Sequence, residues 1–219
     1  MSQPAAPARR ARGEERRRRL LEATLAVVGR EGAGAVTHRR VAAEAGVPLA
    51  ATTYYFSSRD ELLAQALEHA AAEDTARLER EAAGYAADPL SAETLAARLA
   101  GTAVGWLRGD RPALLAQYEI SLESARRPEL AATCRAWSEA YVDAIAPALA
   151  RLGAADPRRD AWIVFAALSG MVLDELAAPQ DGFEERLLGP AVERLVRGLA
   201  GEPTGGLAAG PAGGPRRPQ

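Results

Sequence analysis

"THRRVAAEAGVPLAATTYYF", residues 37–56, decides how this chain is read. Thr37 stands where a side-chain oxygen caps a helix, and Val41, Ala42 and Ala45 recur on one face of the turns that follow. Gly46 stops that helix, because glycine enters the left-handed conformation without a Cβ clash. Gly46-Val47-Pro48 is the turn, and Leu49 to Tyr55 is a second short helix. Ala42 and Ala45 are small enough for a close helix crossing, while Val41 and Val47 fill the angle between the helices. By spacing and residue type this is a helix-turn-helix. Helices this short are marginal alone, so the flanking segments must complete their core. The stretch ends in Tyr54-Tyr55-Phe56, three of only eleven aromatic residues in a chain of 219.

Working outward, Leu20, Leu21, Ala23, Thr24, Val27 and Val28 line one face of a first helix over Glu14–Glu31, ended by Gly32-Ala33-Gly34. After the tyrosines, Ser58-Arg59-Asp60-Glu61 has the form of a capping box. It opens a long fourth helix reaching the low 80s, with Leu62, Leu63, Ala66, Leu67 and Ala70 on its buried side. Asp88-Pro89 and Ser91 start a helix through Leu107, and a further one runs from Ala113 to Arg126. A long one follows over Glu129–Leu152, with a kink expected at Pro147. Asp156 caps, and Pro157 begins, a helix to Ala178, and Phe183–Leu199 is the last. There is no alternating strand pattern, hairpin signal or internal repeat. The expected fold is all-α with about nine helices. Residues 14–60 are a three-helix helix-turn-helix domain, and 61–200 a helical ligand-binding and dimerisation domain. Residues 1–13 and 201–219, rich in Pro, Ala, Arg and Gly, are expected to be disordered.

Charge divides unevenly. Residues 1–60 carry eleven arginines and six acidic residues; the remainder carries sixteen against twenty-three. A basic first quarter on an acidic body points to an anionic partner for the head, nucleic acid first. All 27 basic residues are arginine, which is a mark of composition and not of chemistry. Cys134 is the single cysteine, so no disulfide framework exists, and it is read as a small core residue. No apolar run approaches the roughly 20 residues that span a bilayer, and no secretory leader is present, so a cytoplasmic protein without membrane contact is expected. His38 and His69 are the only histidines. Paired metal ligands, a phosphate-binding glycine loop and a nucleophile elbow are missing, and nothing selects a catalytic carboxylate pair. No catalytic residue, metal or cofactor is expected, and the chain is not read as an enzyme. No sustained heptad supports a coiled-coil scaffold.

Thr37, Val41-Ala42, Ala45-Gly46-Val47, Tyr54-Tyr55-Phe56, Arg59 and the following Asp60-Glu61-Leu62-Leu63 together resemble the DNA-binding domain of the TetR family of transcriptional regulators, over about residues 14–70. Pro48, Ala50, Thr53 and Tyr55 depart from the family's usual Ser, Gly, Tyr and His. The resemblance implies a homodimeric regulator that reads a pseudo-palindromic operator in double-stranded DNA and answers to a small-molecule effector, most often as a repressor, with an activator as the alternative. It places Thr37, Arg39, Arg40, Leu49, Ala50, Ala51, Thr53, Tyr54, Tyr55 and Arg59 at the DNA. Arg39 matches a base-reading position, suited to guanine O6 and N7. Thr37, Tyr54, Tyr55 and Arg59 match phosphate contacts, and Phe56 belongs to the core. The arginine-rich run Arg9–Arg19 is either a solvated tail or an arm that follows phosphates.

For the body, aromatic side chains among a few polar groups suit a small-molecule pocket, and equally a helical core. The effector candidates are Trp106, Tyr118, Glu119, Glu123, Trp137 and Tyr141. Trp162, Phe165, Ser169, Val172, Leu188, Val192 and Leu195 run down faces of the last two helices. Each fits an internal core as well as a partner's surface, and the family resemblance assigns them to a dimer interface.

Overall fold

The computed structural model describes residues 6–87 and 90–201. Among these it contains nine α-helices and no strand: α1 (Ala6–Glu31), α2 (His38–Ala45), α3 (Leu49–Tyr55), α4 (Arg59–Ala87), α5 (Ala92–Arg108), α6 (Arg111–Ser124), α7 (Pro128–Arg151), α8 (Pro157–Ala177) and α9 (Gly189–Leu199). The expected all-α fold is the observed one.

The boundaries follow capping chemistry. Thr37, Ser91, Asp110 and Asp156 each accept a hydrogen bond from the backbone N–H three residues on, at 3.1–3.2 Å. Pro112, Pro128 and Pro157 sit in first turns, where a missing N–H costs nothing. The α2–α3 turn is a Schellman motif. Gly46 is left-handed at φ 63°, its N–H donates to Ala43 O, and Val47 N–H donates to Ala42 O.

Three expectations are revised, and a fourth falls outside the described residues. α1 begins at Ala6, not at Glu14, so residues 6–13 of the supposed disordered arm are helical; residues 1–5 and 202–219 lie outside the described residues. The box at Ser58 is only half formed. Ser58 Oγ accepts from Glu61 N–H, but the Glu61 carboxylate takes both the N–H and the hydroxyl of Ser57. Asp88 and Pro89, expected to open α5, are outside the described residues, and Ser91 alone caps it. The last helix is not continuous. Residues Glu184–Leu188 form a π turn before α9, and Gly189 N–H reaches Glu184 O. Pro190, lacking an N–H, leaves an α-helical carbonyl without its partner, and the wider turn absorbs the defect.

Two cores hold the helices. One joins Leu20, Val27, Val41, Phe56, Leu63 and Leu67 to Ile120, Leu130, Trp137 and Tyr141, welding the head to α4, α6 and α7. The other runs through α5, α7, α8 and α9 around Leu95, Val142, Leu149, Val164, Leu168, Val172, Leu188 and Val192. Full burial of each such side chain stabilises the fold by about 1.5–3 kcal/mol. α1 packs mainly on α6 and α2, α4 on α7, α7 on α8, and α5 on α9. α1 therefore touches the body through α6, and α6 lines the body's cavity.

Candidate nucleic-acid interface and ligand cavity

The outer face of α2 and α3 is bare. Thr37, Arg39, Leu49, Ala50, Thr53 and Tyr54 are exposed, Tyr54 by 81%. A tyrosine that open is not filling a core. Its ring meets Tyr55 edge-on at 4.9 Å, and Tyr55 in turn lies 6.3 Å from Phe56, which is buried. Phe56 anchors the row, Tyr55 bridges, and Tyr54 stands free. Thr52 turns inward: it is fully buried, and its hydroxyl donates to Leu49 O at 2.7 Å. The outward positions are 49, 50, 53 and 54, the i, i+1, i+4, i+5 pattern of one helical face.

The arginines sort into two groups. Arg40 donates to Glu31 at 2.9 Å and pairs with Glu44 at 3.1 Å, and Glu44 also holds Arg30. The Arg40 hydrogen bond holds the Glu31 carboxyl below the usual range; Arg30 first, then Arg40, do the same for Glu44. Arg59 donates to Ala33 O at 2.7 Å and lies 3.4 Å from Asp60, tying the start of α4 to the turn after α1. Arg19 donates to Ala45 O at 2.9 Å, and Arg17 lies over the Phe56 ring. Arg18 pairs with Glu15 and Glu22. Arg39 is exposed and makes no hydrogen bond or ion pair among the described residues. Of the two arginines singled out on α2, one is built into the head and one projects from it.

The body contains two adjoining cavity lobes of about 410 and 490 Å³, sharing Trp106, Leu114, Gln117 and Trp137. The aromatic lining includes Tyr141, Trp162 and Phe165, with Tyr141 stacked on Phe165 at 4.9 Å and Trp106 edge-on to Tyr141 at 5.5 Å. The size and lining are those of small-molecule sites. Tyr118 donates to Ser169 O at 2.8 Å, and burial pushes its hydroxyl up to about 12. Trp106 Nε1 is buried without an acceptor among the described residues.

Of the expected effector residues, Trp106, Tyr118, Trp137 and Tyr141 line this space; Glu119 and Glu123 do not. On α6 the inward positions are Leu114, Gln117, Tyr118 and Ser121, which leaves Glu119 exposed. Glu123 is bound to Arg127 at 2.6 Å, which holds its carboxyl low. Of the carboxylates that border the cavity, Glu73, Asp74 and Asp110, the one bound to its aromatic walls is Asp74 of α4. Its Oδ2 accepts from Trp137 Nε1 at 2.8 Å and from the Tyr141 hydroxyl; its Oδ1 accepts from Arg77 Nε at 3.0 Å. The sequence carried a signal for it: Asp74 falls in register with Leu67, Ala70, Ala71 and Leu78, an acid on an apolar stripe.

The expected dimer residues are mostly internal. Val172, Leu188 and Val192 are fully buried within one chain, and Leu195 packs on the same core. Trp162, Phe165 and Ser169 face the cavity. The amphipathic faces were real, but what covers them is the chain's own α5 and α7. α8 has a second apolar stripe in the opposite phase: Ile163, Ala166, Gly170 and Leu173 are exposed, with Leu187 nearby in sequence terms on the π turn.

A family model described as bacterial regulatory proteins, tetR family, matches residues 20–66, and one described as tetracyclin repressor-like, C-terminal domain, matches residues 90–202. The chain is 44% identical over 55 residues to the HTH-type transcriptional regulator PksA of Bacillus subtilis (strain 168), a match covering 25% of this chain and 27% of PksA. It thus spans only about a quarter of that relative's length. Among solved structures, the multidrug binding protein EbrR complexed with imidazole is 31% identical, with a TM-score of 0.65 over 87% of this chain and 97% of EbrR. EbrR is also solved with ethidium, malachite green and proflavin. SCO7518 from Streptomyces coelicolor A3(2) is 26% identical, with a TM-score of 0.67 over 83% of this chain and 98% of that one. The two family matches run from the helix-turn-helix to the last helix, and the chain belongs to the TetR family of bacterial regulatory proteins.

Proposed function

We propose that this chain is a DNA-binding transcriptional regulator that works as a homodimer in the cytoplasm and, as a repressor, leaves its operator when an aromatic small molecule fills the body cavity. The observation that carries the reading is the α2–α3 face: exposed, fixed by a Schellman turn, and projecting Arg39 and Tyr54, neither of which makes a hydrogen bond or ion pair among the described residues. Ala50 and Thr53 let α3 approach the floor of a major groove and meet thymine methyls, Arg39 takes a guanine, and Thr37, Tyr54 and Tyr55 hold phosphates. Arg40 and Arg59 serve this interface by bracing α2 and α4.

Two heads on a two-fold axis address two half-sites. The exposed stripe of Ile163, Ala166, Gly170 and Leu173 is the surface that pairs the subunits. The aromatic walls, and the aromatic compounds bound by EbrR, support a flat aromatic effector. Asp74 is matched by Arg77, and Glu73, Asp110 and Arg80 share the rim of the same lobe, so both signs of charge are present and shape and stacking select the ligand first. An effector that favours the DNA-incompetent form by ~1–3 kcal/mol lowers operator affinity 5–150-fold. The test is selection of bound duplexes from a random library, with footprinting of the DNA flanking the chain's own gene. An enriched near-palindrome, lost on adding proflavin or ethidium, is expected; enrichment of no sequence at physiological salt overturns the reading.

A further inference from the structure

Away from the recognition face, and at the edge of the ligand cavity that Glu73 also borders, three metal-ligating side chains meet where the head joins the body. We infer that Glu22 of α1 with His69 and Glu73 of α4 form a site for a divalent first-row transition-metal cation of the zinc class. One ligand atom from each lies within 4.8 Å of the others. His69 and Glu73 are one helical turn apart, which sets Nε2 3.6 Å from Glu73 Oε1, and Glu22 reaches across from the other helix.

His69 makes the cluster more than a pair of surface acids. Its ring is largely covered, and Nε2 is buried with no hydrogen-bond partner. A buried ring nitrogen without a partner is unfavourable, and a cation supplies one. Metal–ligand bonds of about 2.0–2.2 Å place ligand atoms roughly 3–3.5 Å apart. The Glu22 and Glu73 side chains are 42% and 63% exposed, so both carboxylates are free to close that gap. Arg18 engages Glu22 through Oε1 and also holds both oxygens of Glu15, so it keeps an ion pair when Glu22 turns. Two carboxylates balance a divalent charge. One imidazole with two carboxylates and no thiolate suits Zn²⁺, Co²⁺ or Ni²⁺, whereas Ca²⁺ and Mg²⁺ prefer oxygen alone. A groove of about 560 Å³, bordered by Glu22, Glu44, Glu73 and Asp110 with Arg19, opens the two carboxylates to solvent.

Bound there, the cation ties α1 to α4, the helix that leaves the head, and so stiffens the base on which the head sits. The site escaped sequence reasoning because Glu22 stands 47 residues before His69 and 51 before Glu73, with only one histidine among them. The experiment is a chelator-buffered Zn²⁺ titration of the full chain without an affinity tag, alongside Co²⁺ absorption. No DNA or effector enters it, so its outcome is independent of the proposed function. One equivalent per chain is expected. Glu22→Gln and Glu73→Gln, both at exposed side chains, should each weaken Zn²⁺ by roughly tenfold or more, and His69→Ala should remove the Co²⁺ band, with metal-free circular dichroism unchanged in the two glutamine variants. Failure of the wild-type chain to take up a stoichiometric ion, or equal uptake by the Glu22→Gln/Glu73→Gln double variant, overturns the proposal.

Discussion

Replacing Gly29 by alanine perturbs the joint between head and body more sharply than any loss of an ion pair. Gly29 lies in α1 against the first turn of α6, and a Cβ there would stand 1.8 Å from Pro112 O, 2.4 Å from Pro112 C and 2.7 Å from Pro112 Cα. All three are backbone atoms, so no side chain can swing aside. Restoring ordinary contact requires α1 and α6 to part by on the order of 1.5 Å, in an interior packed like an organic crystal. Overpacking of this kind costs about 1–3 kcal/mol. In a chain of this size each kcal/mol is roughly 2–4 °C, so Tm should fall by about 2–12 °C. Gly101→Ala is the control. Nothing lies within 4 Å of a Cβ there, and it sits within α5, so it should hold or raise Tm by the helix preference of alanine. A second readout tests the joint itself. α6 carries Leu114, Gln117 and Tyr118 into the cavity and packs on α1 at Gly29. Gly29→Ala should therefore leave dye binding nearly intact while reducing the response of DNA affinity to the dye. An unchanged Tm would refute the packing argument. A lowered Tm with full dye response would refute the claim that α6 transmits through this contact.

Leu173→Glu combined with Ile163→Glu places charge on the exposed stripe of α8 without disturbing the core, since these side chains are already 45% and 42% exposed. Light scattering should show monomers of native helicity, and a persistent dimer would move the interface elsewhere. Arg39→Ala should cost about 1–3 kcal/mol in operator binding and relax preference at one base pair, whereas Tyr54→Phe should weaken all sequences alike. Competition against half-site variants separates the two, and uniform weakening by Arg39→Ala would end its base-reading role. Glu31 and Glu44 have lowered folded-state values, from hydrogen bonds to Arg40 and Arg30 respectively. The stability they contribute is present above the unfolded glutamate value of about 4.3 and is lost as pH falls through the folded ones. In Arg40→Ala the acid side of the stability–pH curve should therefore be shallower, and an unchanged acid limb would show the network to be without effect.

The head was legible in the sequence because its signals are local. A capping threonine, a left-handed glycine and a three-residue turn act within one helical turn of themselves, and Thr37, Gly46 and Leu49–Tyr55 stand where they were expected. The body's faces were legible too, but not what covers them. An apolar stripe says that a face is buried and does not say whether by the same chain. Val172 and Val192 went to the chain's own core, while the stripe through Ile163 and Leu173, diluted by Ala166 and Gly170, is the one left open. The same limit misplaced the acid that binds the cavity's aromatic walls. Glu119 and Glu123 neighbour the right aromatic residues along α6, but Asp74 arrives from α4, 63 residues before its partner Trp137. Pairings at that distance are made by packing, which periodicity does not encode.

The charge of the head also changes meaning once the fold is known. A basic first quarter suggested a broad electrostatic attraction to DNA. Arg17, Arg18, Arg19, Arg30, Arg40 and Arg59 are each engaged within the protein, by carboxylates, carbonyl oxygens, an amide or a ring. Arginines so held fix the angles between α1, α2 and α4, and their charge is already offset where carboxylates meet them. What remains to meet a duplex among the described residues is a short set of projecting groups: Arg39, Tyr54, Thr37 and Arg16. Each phosphate neutralised contributes about 0.9 to the slope of log affinity against log salt. A head whose cations are largely committed to its own structure should then show a shallow slope per subunit and depend more on fit than on charge. With α3 offering only Leu49, Ala50 and Thr53 beside Tyr54 on its outward face, that fit is set by how rigidly the arginine braces hold Arg39 and the tyrosines to the spacing of the duplex.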